Sequence, residues 1–453
     1  MKITNFEATG IELVENFLKE NKGELNLNQL KELMKSINIS FSFEDINRLH
    51  STLICENGSS YVQQSQRYVL MDSNGYIKLE DFNRDENLYA NELIGKAFDL
   101  YKRMTELKED VKGKGRPSKE DYKYGITPED ARYILPLATK TNVTYASSGD
   151  KFVDLITTMC ESRYAYIFAG VLEELRKLLP ENLWEEISDS HFEVGSYSVQ
   201  KFYQDNYFSK INNINNMVFF DSFKHLDKNV ALGALTSTKA ETPSQVFESW
   251  LKDKEEKGEE WDSKAKGVIN RVLGYGHTGI MEQARTTFSM MMSLSAYHQQ
   301  IRHRLPALHR EELSEIIKDK NREVIIPHSI LNSIFREEYA TLVEDFKNFR
   351  YELARYYDHE FILPLLLNCD QIKLVISTNA RIDEWILRER TCMTAQWEIR
   401  NLSIKKLKQL RTISDVLYEK ALPPCVYGTC KEGKLTCGKA TIVKEFFTNL
   451  KEE

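Results

Sequence analysis

The densest run of chemistry-bearing side chains is Gln299-Gln300-Ile301-Arg302-His303-Arg304, at the end of an apolar stretch. Two guanidiniums flank an imidazole. Arginine presents a planar fork that pairs with phosphate or carboxylate oxygens, and a neighbouring histidine can donate, accept or stack. A solvated basic turn has the same composition, so the triplet alone leaves both readings open. A second run, Ser60 to Tyr68, sets Gln63, Ser65, Gln66 and Arg67 among amides and aromatics. A hydroxyl and a guanidinium two residues apart can hold a phosphate together with backbone amides; a polar strand edge is the other reading. Arg132, in Pro128-Glu129-Asp130-Ala131-Arg132, falls near the start of an expected helix, where the helix dipole disfavours a cation. An anionic partner, or an i,i+3 pair with Glu129, would account for it.

The other clusters lie in the second half. Asn379, Arg381, Arg390 and Gln396 form a polar set; Arg381 and Arg390 are about two and a half helical turns apart and would project from different sides. His277 and Glu282 follow a Gly-Tyr-Gly turn, and their spacing does not match the HExxH pattern of a zinc helix. Cys425, Cys430 and Cys437 could give a metal three thiolates, but the paired CxxC of a zinc ribbon is absent. The expectation is therefore no metal, and a tight loop in the tail 423–440. No Gly-rich phosphate loop and no G-x-S-x-G motif occurs.

These residues need elements to position them. Apolar spacing predicts one or two short amphipathic helices over residues 10 to 36 and a longer one over Glu86 to Lys108. A charged, Gly/Pro-broken loop follows at Val111 to Ser118, and Thr127-Pro128 reads as a helix start. Helical periodicity resumes from Lys151 to Leu178, and residues 206 to 216 read as a polar linker. Met217 to Phe220 looks like a strand. Lys252 to Lys264 is a solvated charge run. Thr286 to Met291 is strand-like and leads into a helix ending near Ile301, and helical patterns dominate from Leu331 to Leu422.

The chain has 453 residues, enough for two or three domains. Its composition, 42% hydrophobic and 28% charged, is that of an ordinary globular protein. A net charge of -7 gives no general attraction to nucleic acid or to an anionic membrane, so any bound phosphate must meet a local basic cluster. No signal-type leader or membrane-spanning stretch is seen, and an odd cysteine count of 7 argues for reduced thiols; the expectation is a cytoplasmic protein.

Two distant stretches can be superimposed. Ser148-Gly149-Asp150 and Met159 match Asn379-Ala380-Arg381 and Arg390 in spacing, and each is preceded by a Leu-Pro pair, Leu135-Pro136 or Leu363-Pro364. Identity is low, so spacing alone makes duplication an open possibility. The polar residues strengthen it, because each half holds those that the other lacks.

Taken together, these pieces resemble the flavin-dependent thymidylate synthases. The hallmark of that family is an Arg-His-Arg, with a Gln three residues before it, followed by a Ser and then a Ser-x-Arg. Here it is split. Gln299 and Arg302-His303-Arg304 match the first part, but Leu305 to Arg310 continues without Ser-x-Arg. Ser60 to Tyr68 matches the second part, with Cys55-Glu56-Asn57 where Arg-His-Arg should stand. Arg132 before Ile134-Leu135-Pro136 resembles the family's phosphate arginine; Asn379, Arg381 and Arg390 resemble its flavin-side and pyrimidine-side residues. His277 and Glu282 resemble its flavin-contacting pair. Thr394 stands where many members carry His, and Trp385 where some carry Asn.

The resemblance implies an α+β fold of two tandem synthase-like domains, 1–210 on the phosphate side and 211–453 on the flavin and pyrimidine side, helix-rich overall. It implies reductive methylation of dUMP with methylenetetrahydrofolate, FAD and NADPH. By the same resemblance Ser65, Gln66, Arg67, Arg132 and Gln63 would bind dUMP. Arg390, Arg302 and Gln299 would serve catalysis. His277, Glu282, Arg302, His303, Arg304, Asn379, Arg381 and Ser237 would hold FAD. Because family sites form between subunits, two fused copies would make a homodimer that stands for the tetramer. The rival readings are a flavin-dependent methylase or hydroxymethylase of another pyrimidine nucleotide, and a non-catalytic paralogue that binds nucleotide or flavin.

Overall fold

The computed structural model describes residues 1–21, 25–114, 124–189, 197–433 and 436–450. Residues 115–118 of the charged loop expected at Val111 to Ser118 lie outside them. The fold is α+β. Eight strands form two four-stranded sheets among the described residues: β1 Lys2–Thr9, β2 Asn38–Asn47, β3 Ser60–Gln63, β4 Lys140–Ser148, β5 Met217–Ser222, β6 Arg285–Ser293, β7 Ala307–Arg310 and β8 Gln371–Asn379. The orders are β1-β2-β4-β3 and β5-β6-β8-β7. Substituting each strand by the one four places later turns the first order into the second, so the duplication is present in the topology.

Alternation explains β2: Ile39, Phe41 and Phe43 point inward with almost no exposure, and polar residues stand between them. Its neighbour β4 pairs antiparallel in a register that sets Phe41 opposite Tyr145. The helix expected from Glu86 to Lys108 runs from Arg84 to Glu106; an Asn83–Glu86 capping box starts it, and Ala90, Leu93, Ile94, Ala97, Tyr101 and Met104 form its buried stripe. The helical reading of Leu331 to Leu422 holds for Arg336–Leu353 but is interrupted by β8. Both faces of that strand are buried, so Ile372, Leu374, Val375 and Ile376 show no polar alternation to mark it.

By contacts the chain divides into two compact units. The first holds residues 1–205, 293–304 and 311–372; the second holds 206–292, 305–310 and 373–453. Within the first unit the repeats are joined by backbone. Leu137 N–H donates to Leu366 O at 2.7 Å, Ala138 to Pro364 at 2.8 Å, and Asn368 to Leu135 at 3.0 Å. Equivalent helix starts hang from this ladder: Arg48 and Leu49 donate to Thr139 and Leu137 at 2.8 and 3.1 Å, Leu294 and Ser295 to Asp370 and Asn368 at 2.8 and 2.9 Å. No helix among the described residues is long and apolar enough to cross a membrane.

Candidate functional site

The split motifs meet inside the first unit. The ladder sets the helix Arg48–Glu56 beside the helix Leu294–Gln300, and Tyr297 Oη donates to Glu56 Oε1 at 2.8 Å. Beyond each helix the chain turns into its motif. Arg304 Nη2 donates to Tyr61 O at 3.0 Å, and its guanidinium lies 5.2 Å from the centre of the Tyr61 ring. The Ser60–Gln63 strand therefore runs against the Arg302–Arg304 turn. Ser65 starts a turn in which Tyr68 and Val69 N–H donate to its carbonyl, and its Oγ accepts from Arg67 N–H at 3.3 Å.

The turn delivers Arg67 to a buried carboxylate. Arg67 Nε donates to Glu129 Oε2 at 2.5 Å, with Arg67 8% and Glu129 0% exposed in their side chains. This changes the reading of Arg132. Its side chain does not pair with the Glu129 carboxylate; Nε donates instead to the Glu129 backbone carbonyl at 3.2 Å. Arg132 is 1% exposed, in a 3-10 turn, and its Nη2 has no hydrogen-bond partner among the described residues. Burial, with Arg67 and Arg302 adding like charge, lowers its pKa. Arg302 is exposed at the surface, yet desolvation and then the Arg67 charge lower its pKa too.

Other buried polar atoms also lack partners among the described residues: the donor Gln66 Nε2 and the acceptors Gln299 Oε1 and Asn368 Oδ1. Asn368 Nδ2 donates to Gln66 Oε1 at 3.2 Å and to Arg132 O at 3.0 Å, so one amide fixes both phosphate-side candidates. Gln63 is half-buried, and its Nε2 donates to Ser51 Oγ at 2.5 Å. His303 is buried; its backbone N–H donates to Gln300 O at 3.1 Å. The unfilled donors Arg132 Nη2 and Gln66 Nε2, beside crowded guanidiniums, suit an oxyanion, since leaving such groups dry is costly unless a ligand takes them.

The second unit carries the other candidates. Asn379 ends β8 and caps the helix Ala380–Arg390, accepting from Ile382 N–H at 3.0 Å. Arg381 Nη1 pairs with Glu282 Oε1 at 2.6 Å, both about half exposed. His277 is exposed just before the 3-10 turn Thr278–Gln283. Arg390 ends its helix, half-buried. Ser237 is exposed, its hydroxyl donating to Ala234 O at 3.0 Å. An exposed cation and carboxylate side by side, with an amide and an imidazole in the same unit, fit the pyrophosphate and ribose hydroxyls of a dinucleotide in kind. Trp385 is exposed, and Thr394 Oγ1 lies 3.2 Å from Cys392 Sγ.

All seven cysteines are free thiols. Burial raises the Cys425 pKa, with Cys392, Cys430 and Cys437 close enough to add to it, but no group of three or more His, Cys, Asp or Glu among the described residues could hold a metal ion. A cavity of about 370 Å³ in the first unit is lined by Leu53, Glu56, Asn57, Asp154, Glu161 and Arg163. It adjoins the position where the first repeat has Cys55-Glu56-Asn57 in place of Arg-His-Arg, and Arg163 is paired with Glu161 at 2.8 Å.

Two residues of the arginine cluster carried no signal in the sequence. Arg48 and His298 sit inside apolar helix patterns, and only the contact between equivalent positions of the two repeats reveals them. Thr52 and His298, 246 residues apart, touch through Thr52 Oγ1 and His298 Nε2.

The family model for thymidylate synthase complementing proteins matches residues 20–181 and again 221–414. The chain belongs to that family, with two copies in tandem. A flavin-dependent thymidylate synthase of Clostridium tetani is 29% identical over 208 residues, covering 41% of this chain and 82% of its own. That of Thermococcus onnurineus is 32% identical over 218 residues, covering 40% of this chain and 84% of its own. A solved flavin-dependent thymidylate synthase of Helicobacter pylori, complexed with FAD and dUMP, covers 46% of this chain and 99% of its own at 18% identity, with a TM-score of 0.34.

Proposed function

We propose that this chain is a flavin-dependent thymidylate synthase that methylates dUMP reductively, with methylenetetrahydrofolate as one-carbon donor, NADPH as reductant and FAD as carrier. The observation that carries this is the meeting of the Ser60–Gln63 strand, which leads into the Ser65–Arg67 turn, with the Arg302–Arg304 turn, together with the buried donors Arg132 Nη2 and Gln66 Nε2 that lack partners among the described residues. Sequence likeness to the family's synthases supports the chemistry.

Ser65, Arg67 and Arg132 neutralise the nucleotide phosphate through charge-assisted hydrogen bonds, and Gln63 and Gln66 complete that end. Arg302 and Arg390 donate to the uracil carbonyls and stabilise charge that develops on the ring, an electrostatic role that needs no enzymic thiolate. Gln299 offers its free Oε1 to the pyrimidine. His303, Arg304, Asn379, Arg381, Glu282, His277 and Ser237, with Arg302, would hold the flavin. When bound, the flavin supplies the redox step, and the chain's own groups orient its partners and exclude water. The division into repeats 1–210 and 211–453, with the phosphate side in the first and the flavin side in the second, belongs to this proposal. So do a pseudo-tetrameric homodimer and a cytoplasmic setting.

The test is an absorbance spectrum of the purified chain, then product analysis by mass with dUMP, dCMP and UMP. Flavin absorbance and dTMP formed from dUMP are expected. A product from another pyrimidine would reassign the acceptor, to which the Thr394 and Trp385 departures are relevant. A colourless protein that cannot be reconstituted, and that fails to support growth of a synthase-deficient cell without thymidine, would leave a nucleotide-binding paralogue.

A further inference from the structure

Arg48 has no part in the mechanism above, yet its surroundings are hard to explain without a ligand. It is the first residue of the helix Arg48–Glu56 and is 2% exposed. The positive end of a helix is a poor place for a cation. Among the described residues it makes no ion pair. Its Nε and Nη2 both point at Nδ1 of His298, at 2.9 and 2.7 Å.

A guanidinium can only donate, so His298 Nδ1 must accept and the ring proton must sit on Nε2. That nitrogen faces Thr52 Oγ1, whose own hydroxyl donates to Arg48 O at 2.8 Å. The loop of bonds closes and fixes both the tautomer and the plane of the Arg48 fork. Burial, with the Arg48 charge next, holds the His298 pKa well below its usual value, so it stays a neutral acceptor. Burial pushes Arg48 itself down to about 9, which still leaves it charged at neutral pH.

One donor remains. Arg48 Nη1 is buried and has no partner among the described residues. The charges felt by Arg48 are those of Arg132 and Arg302, which also act on each other, and Arg67 acts on both. These four guanidiniums outnumber the carboxylate paired into the group, Glu129. A buried cation with a neutral imidazole for company is costly in the empty protein. The cost is offset when a multivalent anion arrives.

We propose that Arg48 is a further anion-binding residue of this site, its Nη1 donating to the phosphate dianion held by Ser65, Arg67 and Arg132, with His298 as the positioning residue that sets its fork. This rests on the nucleotide reading of the cluster.

The test uses the full chain and calorimetric titration with dUMP, deoxyuridine and inorganic phosphate, plus melting temperatures without ligand. In Arg48→Met, which keeps the volume, dUMP affinity is expected to fall about tenfold to a hundredfold, the range of one charged hydrogen bond. Deoxyuridine binding stays unchanged, and the ligand-free melting temperature does not fall. Arg48→Lys keeps the charge without the fork and should fall between. His298→Gln should weaken dUMP and phosphate together and leave deoxyuridine alone. An Arg48→Met or Arg48→Lys protein with the wild-type ratio of dUMP to deoxyuridine affinity overturns the proposal; should Arg48→Met fail to fold, Arg48→Lys decides. Wild-type protein that binds dUMP no better than deoxyuridine overturns the nucleotide reading and this inference with it.

Discussion

Replacing Glu129 by Gln should make the protein less stable and its grip on phosphate tighter. The Glu129 carboxylate is fully buried and accepts from Arg67 Nε, with Arg132 close by. Gln keeps the shape and one acceptor but removes the charge. Breaking one side of a buried ion pair costs about 3–5 kcal/mol, and the acceptor that Gln retains sets the expectation at about 3 kcal/mol. For a unit of this size that is a fall of roughly 6–12 °C in melting temperature. The guanidiniums then face an incoming phosphate with less internal neutralisation. At an effective dielectric of about 20, one unit of charge beside the anion is worth ~2 kcal/mol, or about thirtyfold in affinity. Differential scanning fluorimetry of both proteins, across a phosphate and a dUMP titration, measures both quantities. The variant should start lower and gain more degrees at any given ligand concentration. A Glu129→Gln protein whose phosphate-induced gain equals or falls below that of wild type would refute the idea that the cluster is built for an anion.

Other outcomes follow from the same structure. Arg390→Ala should abolish methylation of dUMP while leaving bound flavin largely intact, as read by absorbance; loss of flavin would move Arg390 to the cofactor side. In the second unit Lys406 Nζ donates to Asp383 Oδ1 at 2.6 Å, with side chains 9% and 1% exposed. Asp383→Asn should cost about 3 kcal/mol by chemical denaturation, and the double change Asp383→Leu with Lys406→Met should recover most of it; additive losses would count against the pairing. His50 donates through Nε2 to Ile167 O at 2.7 Å, and burial lowers its pKa to about 4. A histidine depressed in the fold lends stability above its unfolded pKa, roughly 6.5, and loses it as pH falls towards 4. The first unit should therefore weaken by about 2–3 kcal/mol between pH 6.5 and 4. His50→Gln should flatten that slope in urea titrations, and an unchanged slope would exonerate His50.

The legible parts of the sequence were those with local causes. Capping residues and apolar stripes marked the helix at Arg84–Glu106, and the Ser–Arg and Arg–His–Arg runs stood out because charged forks at fixed spacing are rare. Of the first sheet only β3 was legible, as the polar strand edge offered for Ser60 to Tyr68; β1, β2 and β4 went unread, and so did β8. In β8 both faces are buried, which erases the alternation; in β1 only part of the strand is covered, and a register shift between Thr4 and Glu7 breaks its period. Arg48 and His298 were invisible for a different reason. Their meaning lies in a contact between equivalent helices of two repeats, and no window on the chain contains both. Of the two readings of Arg132, the i,i+3 pair with Glu129 is not formed: the tertiary fold gives the Glu129 carboxylate to Arg67, and Arg132 Nε donates to the Glu129 carbonyl.

The ladder that joins Leu135–Ala138 to Pro364–Asn368 has a consequence for how the molecule is made. A ribosome must release the chain past position 372 before the first unit can close, because that unit gathers residues 1–205, 293–304 and 311–372. Contacts across such long stretches form slowly, because the intervening polymer must be gathered before any of them is rewarded. Until then the apolar residues of the early segment need shelter, and a nascent chain cut off between the repeats should be a client of chaperones, not a working half-enzyme.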